Sequence, residues 1–156
     1  MLRLALPALV LLAGTLPGHA IEVQKSADLP AQPDKVWQTI GDFCGIAAWH
    51  PAIEKCVASE KDGQKIRTLG LKGGGTLVEQ QVSRDDKVMS YTYTILEGPL
   101  PVSDYRSTLA VAPEGSGSKV TWQGSFSAKG VPDPVAEDVI SGIYEAGLKG
   151  IADKAK

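Results

Sequence analysis

Cys44, His50 and Cys56 fall close together in the stretch GDFCGIAAWHPAIEKC, Gly41 to Cys56, and the two cysteines are the chain's only ones. Two thiols and an imidazole are metal-ligand chemistry. Structural zinc takes four protein ligands, however, and catalytic zinc three, in motifs that space them closely. This trio falls short of four and lacks the close spacing, so no metal site and no cofactor are expected. The alternative is a Cys44–Cys56 disulfide, which suits a chain that leaves the cytosol. It would close a short loop worth ~2–3 kcal/mol in the chain-entropy account. His50 as a general base would need a partner and a substrate within hydrogen-bond reach. The sequence places neither, and it holds no G-x-S-x-G nucleophile elbow. No catalytic residue is therefore assigned.

Three further patterns could serve a ligand. Tyr91, Tyr93 and Ile95 alternate along one strand, so they share a face that is either ordinary core or a cavity wall carrying hydroxyls. Gly142, Gly147 and Gly150 recur in the last helical segment, where each costs ~1 kcal/mol against Ala. They serve either close packing onto a sheet or room for a ligand. Two loops could form a mouth: LKGGG, Leu71 to Gly75, free to move, and the stretch Pro99 to Pro101 around Leu100, stiffened by its prolines.

The elements that must position these residues begin after an N-terminal segment. MLRLALPALVLLAGTLPGHA has one positive residue, an apolar run and small residues before a cut after Ala20. That is the order of a secretory signal peptide. Residues 1–20 are thus read as a signal and 21–156 as one domain, periplasmic or secreted, with no membrane span after processing. The formal net charge of −2 is spread without a basic block, which argues against a nucleic-acid partner. A first strand runs over IEVQKSADLP. Helical spacing of Val36, Trp37 and Ile40 after Pro33 predicts a short helix reaching Phe43, and a second covers Ile46 to Trp49 before Pro51. Six strands follow between Gly and Asp turns: 53–60, 65–71, 76–83, 88–97, 104–113 and 119–128. Asp133 as N-cap and Pro134 in the first turn start a long closing helix, with Val139, Ile143, Leu148 and Ile151 on its apolar side.

This order, with VWQTIGDFCGIAAWHP, YTYTILEGPLPVSDYRSTLAV, VTWQGSF and IYEAGLKGI, resembles the START-like (SRPBCC) superfamily. The chain looks most like its small bacterial polyketide cyclase/dehydrase and lipid transport members. The resemblance implies an α+β helix-grip fold: a seven-stranded curved antiparallel sheet wrapped around the long C-terminal helix, with two short helices after strand 1. It also implies a cavity between sheet and helix. A further similarity, to the plant abscisic-acid receptors, implies that Tyr93, Ile95, Leu100, Val102, Tyr105 and Ser107 line or gate that cavity. It makes Leu71 to Gly75 the counterpart of a mobile gate and puts Glu79 near an acidic pocket position. Tyr91, and from the helix Ile143 and Gly147, complete the expected wall, with Gly147 leaving open space. Where those receptors hold a ligand carboxylate with lysine, this chain has Glu54 after Ile53. Glu54 and Glu79 together lead to the expectation of a neutral or cationic ligand.

Three functions stand open on this reading. The first is an exported protein that binds a small hydrophobic or amphipathic molecule. The second is a polyketide cyclase/dehydratase-like enzyme. The third is an accessory protein docking on a periplasmic oxidoreductase, since small exported members resemble the accessory protein of methanol-oxidation systems.

Overall fold

Two strands joined by a tight turn can pair with each other only in antiparallel fashion, and most of this chain is built that way. The computed structural model describes residues 20–156. The expected signal segment thus lies outside the described residues except for Ala20. The elements are β1 (Ile21–Leu29), α1 (Pro33–Ile40), α2 (Ile46–Trp49), β2 (Ile53–Lys61), β3 (Gln64–Leu71), β4 (Thr76–Asp85), β5 (Ser90–Glu97), β6 (Val102–Glu114), β7 (Gly117–Ala128) and α3 (Asp133–Lys154). Strands β2 to β7 form a meander. β1 joins at the far side, giving the order β1-β7-β6-β5-β4-β3-β2. Its pairing with β7 runs unbroken from Ile21↔Phe126 to Leu29↔Ser118. The fold is the α+β helix-grip arrangement, with α3 against the sheet.

Register shifts bend the sheet. They fall between Ile53 and Lys55 in β2, at Val78/Glu79 and Gln81/Ser83 in β4, and between Ser103 and Arg106 in β6. Each interrupts the ladder and increases local twist. At the last, Asp104 takes a φ of 53°. This lets Val102 begin β6 two residues earlier than the strand signal at Asp104 suggests.

Further boundaries differ from the sequence reading for local reasons. α1 stops at Ile40, because Gly41 turns to φ 71° while its N–H still bonds the Trp37 carbonyl. β5 begins at Ser90, because Asp85 Oδ1 accepts the Lys87 and Val88 N–H groups and holds a turn that ends with Met89 at φ 51°. α3 is preceded by Pro132 as its N-cap, so Asp133 sits in the first turn. There its carboxylate faces the positive helix end. The buried stripe of α3 is Ala136, Ile140, Tyr144, Leu148 and Ile151, at spacings of three and four. Among the described residues no helix is long and apolar enough to cross a membrane.

Cys44 and Cys56 form a disulfide, with Cα atoms 5.6 Å apart. It ties the turn before α2 to β2, an edge strand that is mostly exposed. The closed loop is short, so the loss on removal should be moderate. Replacing both cysteines by serine is expected to lower unfolding stability by ~2–3 kcal/mol in urea melts, and alkylation of the unreduced, denatured protein should label neither cysteine.

Candidate functional site

Curvature leaves a gap between the sheet and α3. It is a cavity of about 180 Å³. Leu69, Leu77 and Ile95 line it from β3, β4 and β5, and Ile140 and Ile143 from α3. Ile46, His50 and Ile53 close one end from α2 and the turn into β2. Its polar floor is Glu79, Tyr93 and Tyr105, beside the Trp122 ring. Leu71, Lys72, Leu100 and Ala52, all partly or fully exposed, mark the mouth. Next to Lys72, Gly73, Gly74 and Gly75 hold φ values of 97°, 102° and 90°. Other residues rarely adopt these angles.

The strongest electrostatic feature is Arg67 on β3. Its Nε donates to Glu79 Oε2 at 2.6 Å, and its Nη1 donates to the Phe43 carbonyl at 2.5 Å. The guanidinium carbon lies 4.0 Å from the centre of the Phe43 ring and 5.0 Å from that of Tyr93. Both partners of the pair are buried. Burial opposes the charge on Arg67, but Glu79, Tyr91 and Tyr93 outweigh it and hold its pKa above the ordinary value. Burial pushes the Glu79 carboxyl up, and Arg67 pulls it back. The sequence reading overlooked Arg67, although the hairpin centred on LKGGG places it directly across from Glu79.

The floor carries a directed chain of hydroxyls. Ser107 Oγ donates to the Gln123 carbonyl at 2.8 Å. With its one proton spent, it must accept from Tyr144, 2.8 Å away. Tyr144 then accepts from Tyr105 at 2.6 Å, and Tyr105 from Tyr93 at 3.3 Å. The Trp122 indole N–H points at both Ser107 Oγ (3.0 Å) and the Tyr93 hydroxyl (3.1 Å). The longest link is the first, so the Tyr93 proton is the one most readily turned toward a guest. Burial pushes the Tyr93 and Tyr105 phenols well up and takes Tyr144 to about 12. All three therefore stay protonated and the chain stays intact.

His50 is a clip. Its Nδ1 accepts the Ala52 N–H at 3.2 Å, and the bond from Nε2 to the Ile143 carbonyl, 3.0 Å, requires the proton on Nε2. Both ring nitrogens are thus bound to backbone. Burial lowers its pKa; the Ile143 carbonyl works the other way, and the charge on Arg67 lowers it further. The imidazole is neutral.

Of the residues expected at the cavity, Glu79, Tyr93, Ile95, Leu100, Tyr105 and Ile143 lie on its lining. Tyr91 and Val102 are buried beside it, with Tyr91 packed edge-on to Phe43. Ser107 sits beneath the floor, in the hydroxyl chain. Two expectations are corrected. Glu54 is exposed on β2 and does not reach the cavity, because it alternates with Ile53, which points in. Gly147 borders no open space: a Cβ there would lie 2.4 Å from Trp122 and 2.8 Å from the His50 ring. It is a contact point where helix, indole and imidazole meet. The charge argument fails with Glu54, since Arg67 neutralises Glu79 and the one ionic side chain at the mouth is Lys72. Trp122 and Tyr144, stacked at 4.7 Å, were also overlooked. Tyr144 follows Ile140 by one helical turn, and that spacing could have found it.

The family profile described as "Polyketide cyclase / dehydrase and lipid transport" matches residues 20–156. Among solved structures, the protein XoxI from Bacillus cereus is similar at 34% identity and a TM-score of 0.78, over 85% of this chain and 93% of that one. An uncharacterised Bacillus thuringiensis protein is similar at 32% identity and 0.78, over 85% and 97%. A Streptomyces aromatase/cyclase shares the fold at 18% identity and 0.71, over 88% and 94%.

Glu79→Gln removes one partner of the buried pair and should cost ~3–5 kcal/mol. Replacing both, Arg67→Met with Glu79→Leu, should recover most of that in the same denaturant melts. Gly147→Ala should destabilise, since overpacking by ~1–3 kcal/mol outweighs a helix-propensity gain of ~1 kcal/mol. The control Gly142→Ala, with nothing within 4 Å of its added carbon, should stabilise. His50 gives a pH signature. Its folded pKa lies below the ordinary 6.5, so below that pH the unfolded chain takes up a proton that the folded one refuses. Its contribution is complete above 6.5 and declines as pH falls toward the lowered value. His50→Gln should flatten that part of the stability–pH curve.

Proposed function

The chain belongs to the polyketide cyclase/dehydrase and lipid transport family, and from that premise we propose that it is an exported binding protein for one small, largely apolar molecule. The observation that carries this reading is the cavity between sheet and α3, apolar on its walls and polar on its floor. Its volume of about 180 Å³ limits the guest. An engineered apolar cavity of ~150 Å³ takes up benzene, so this one suits a single ring or a short branched chain. Burying such a group supplies ~2–3 kcal/mol, and the Tyr93 hydroxyl and Glu79 carboxylate orient it.

Entry runs between Leu100 and the loop at Gly73 to Gly75, which folds down behind the guest. Export is supported by the leader pattern of residues 1–20 and by the Cys44–Cys56 disulfide. The polar groups favour holding over turnover. A cyclase or dehydratase needs a base free to take a proton, whereas His50 spends both nitrogens on backbone and Glu79 is bound to Arg67.

The test is a titration with indole and p-cresol, followed by NMR. Saturable shifts are expected at Tyr93, Tyr105 and Ile143, with slower amide exchange at Gly73 to Gly75. Ile143→Trp, which fills the space, should abolish both. Shifts that never saturate, or that survive Ile143→Trp, would defeat the reading.

A further inference from the structure

We infer that the guest carries an anionic group, seated at the mouth on Lys72. This rests on the cavity reading above and reverses the charge preference drawn from Glu54. An outer groove of about 480 Å³ adjoins the cavity and shares His50, Ile53 and Lys72 with it. The rest of that groove includes Trp49, Lys149, Asp153 and Lys154. Asp153 is already shared by Lys149, at 2.7 Å, and Lys156, at 3.1 Å. Among the described residues neither Lys72 nor Lys154 is in an ion pair. The cavity's one carboxylate, Glu79, is neutralised from within by Arg67. The border that cavity and groove share is therefore positive on balance.

The backbone of Lys72 is tied at the mouth. Its N–H donates to the Ala52 carbonyl at 2.9 Å, and the carbonyl of the preceding residue, Leu71, accepts the Gly74 N–H at 3.0 Å. The lysine thus stands between the chain entering β2 and the glycine loop. A guest with its ring inside and its charge on the ammonium bridges cavity and loop, so the same contact selects the anion and closes the mouth. The ligand class is an amphipathic organic anion: one ring or a short apolar body, a spacer of a few atoms, and a carboxylate or phosphate.

The experiment compares four probes with one phenylalkyl body by isothermal titration at low salt: 3-phenylpropionate, 2-phenylethyl phosphate, 3-phenylpropanamide and 3-phenylpropylamine. At least one of the two anions should bind about fivefold or more tighter than the amide, a ratio within reach of one exposed ion pair, and the ratio should shrink as salt is added. Which anion leads separates the two head groups. In Lys72→Met the anion-to-amide ratio should fall to about one, and in Lys72→Glu the amine should lead. Lys72 is exposed, so these variants keep their fold. Equal binding of acid, phosphate and amide to the native protein, or a ratio unmoved in Lys72→Met, overturns the inference and leaves the cavity reading standing. If none of the four binds, the cavity reading fails and this inference with it.

Discussion

Arg67 is 1% exposed, and the interior is arranged around its charge. Two of its three nitrogens have partners that lie far apart in sequence, the Glu79 carboxylate on β4 and the Phe43 carbonyl in the turn after α1. The third, Nη2, has none among the described residues. Two aromatic rings cover its carbon. A charge so placed is costly unless it is paired and hydrogen-bonded, so these neighbours have little freedom to move. Phe43 must stay close, which fixes the turn leading to α2. Tyr93 must lie beside the guanidinium, which sets where its hydroxyl can reach. Glu79 is held in place on the cavity floor. The same charge, felt at His50, helps keep that imidazole neutral and so preserves the clip between α3 and β2.

The hydroxyl chain adds a second constraint, one of direction. Because Ser107 gives its proton to a strand carbonyl, each phenol further along must donate toward it. A chain of three tyrosines thus presents fewer free donors to the cavity than its composition suggests. Gly124 makes the arrangement possible: a Cβ there would lie 2.1 Å from the Tyr144 hydroxyl. Gly147 does the same on the opposite side for Trp122 and His50. Two absent side chains on facing elements allow the helix and the sheet to share one polar network.

The fold was legible because its signals are local. Turn residues between β-rich runs define a meander, and the spacing of Val36, Trp37 and Ile40 defines the helix that covers it. The strand facing the cavity was legible too, since alternation puts Tyr93 and Ile95 on the right side. What could not be read was depth. Tyr91 shares a face with Tyr93, yet it lies beyond the cavity against Phe43, and periodicity carries no information about where along a strand a gap begins. Gly147 failed for a related reason: a missing side chain is equally the mark of a void and of close approach, and only the neighbour's position decides. Glu54 misled because an alignment to a lysine position does not say which strand face that position takes, and alternation with the inward Ile53 turns Glu54 to the outside.

The pairing of β1 with β7 orders events in time. The first strand of the sheet to be made has its partner nearly a hundred residues later, between Gly117 and Ala128. Until then its ladder groups and its apolar side are open to other chains. β2 to β6 can zip as hairpins in the meantime, but α3 makes its main packing with β1 and β7 and must wait for them. Such non-local closure is slow compared with hairpin growth. The half-made sheet is therefore the state in which this protein is most exposed to proteases and self-association, and a chain that stops short of residue 117 leaves β1 without its partner.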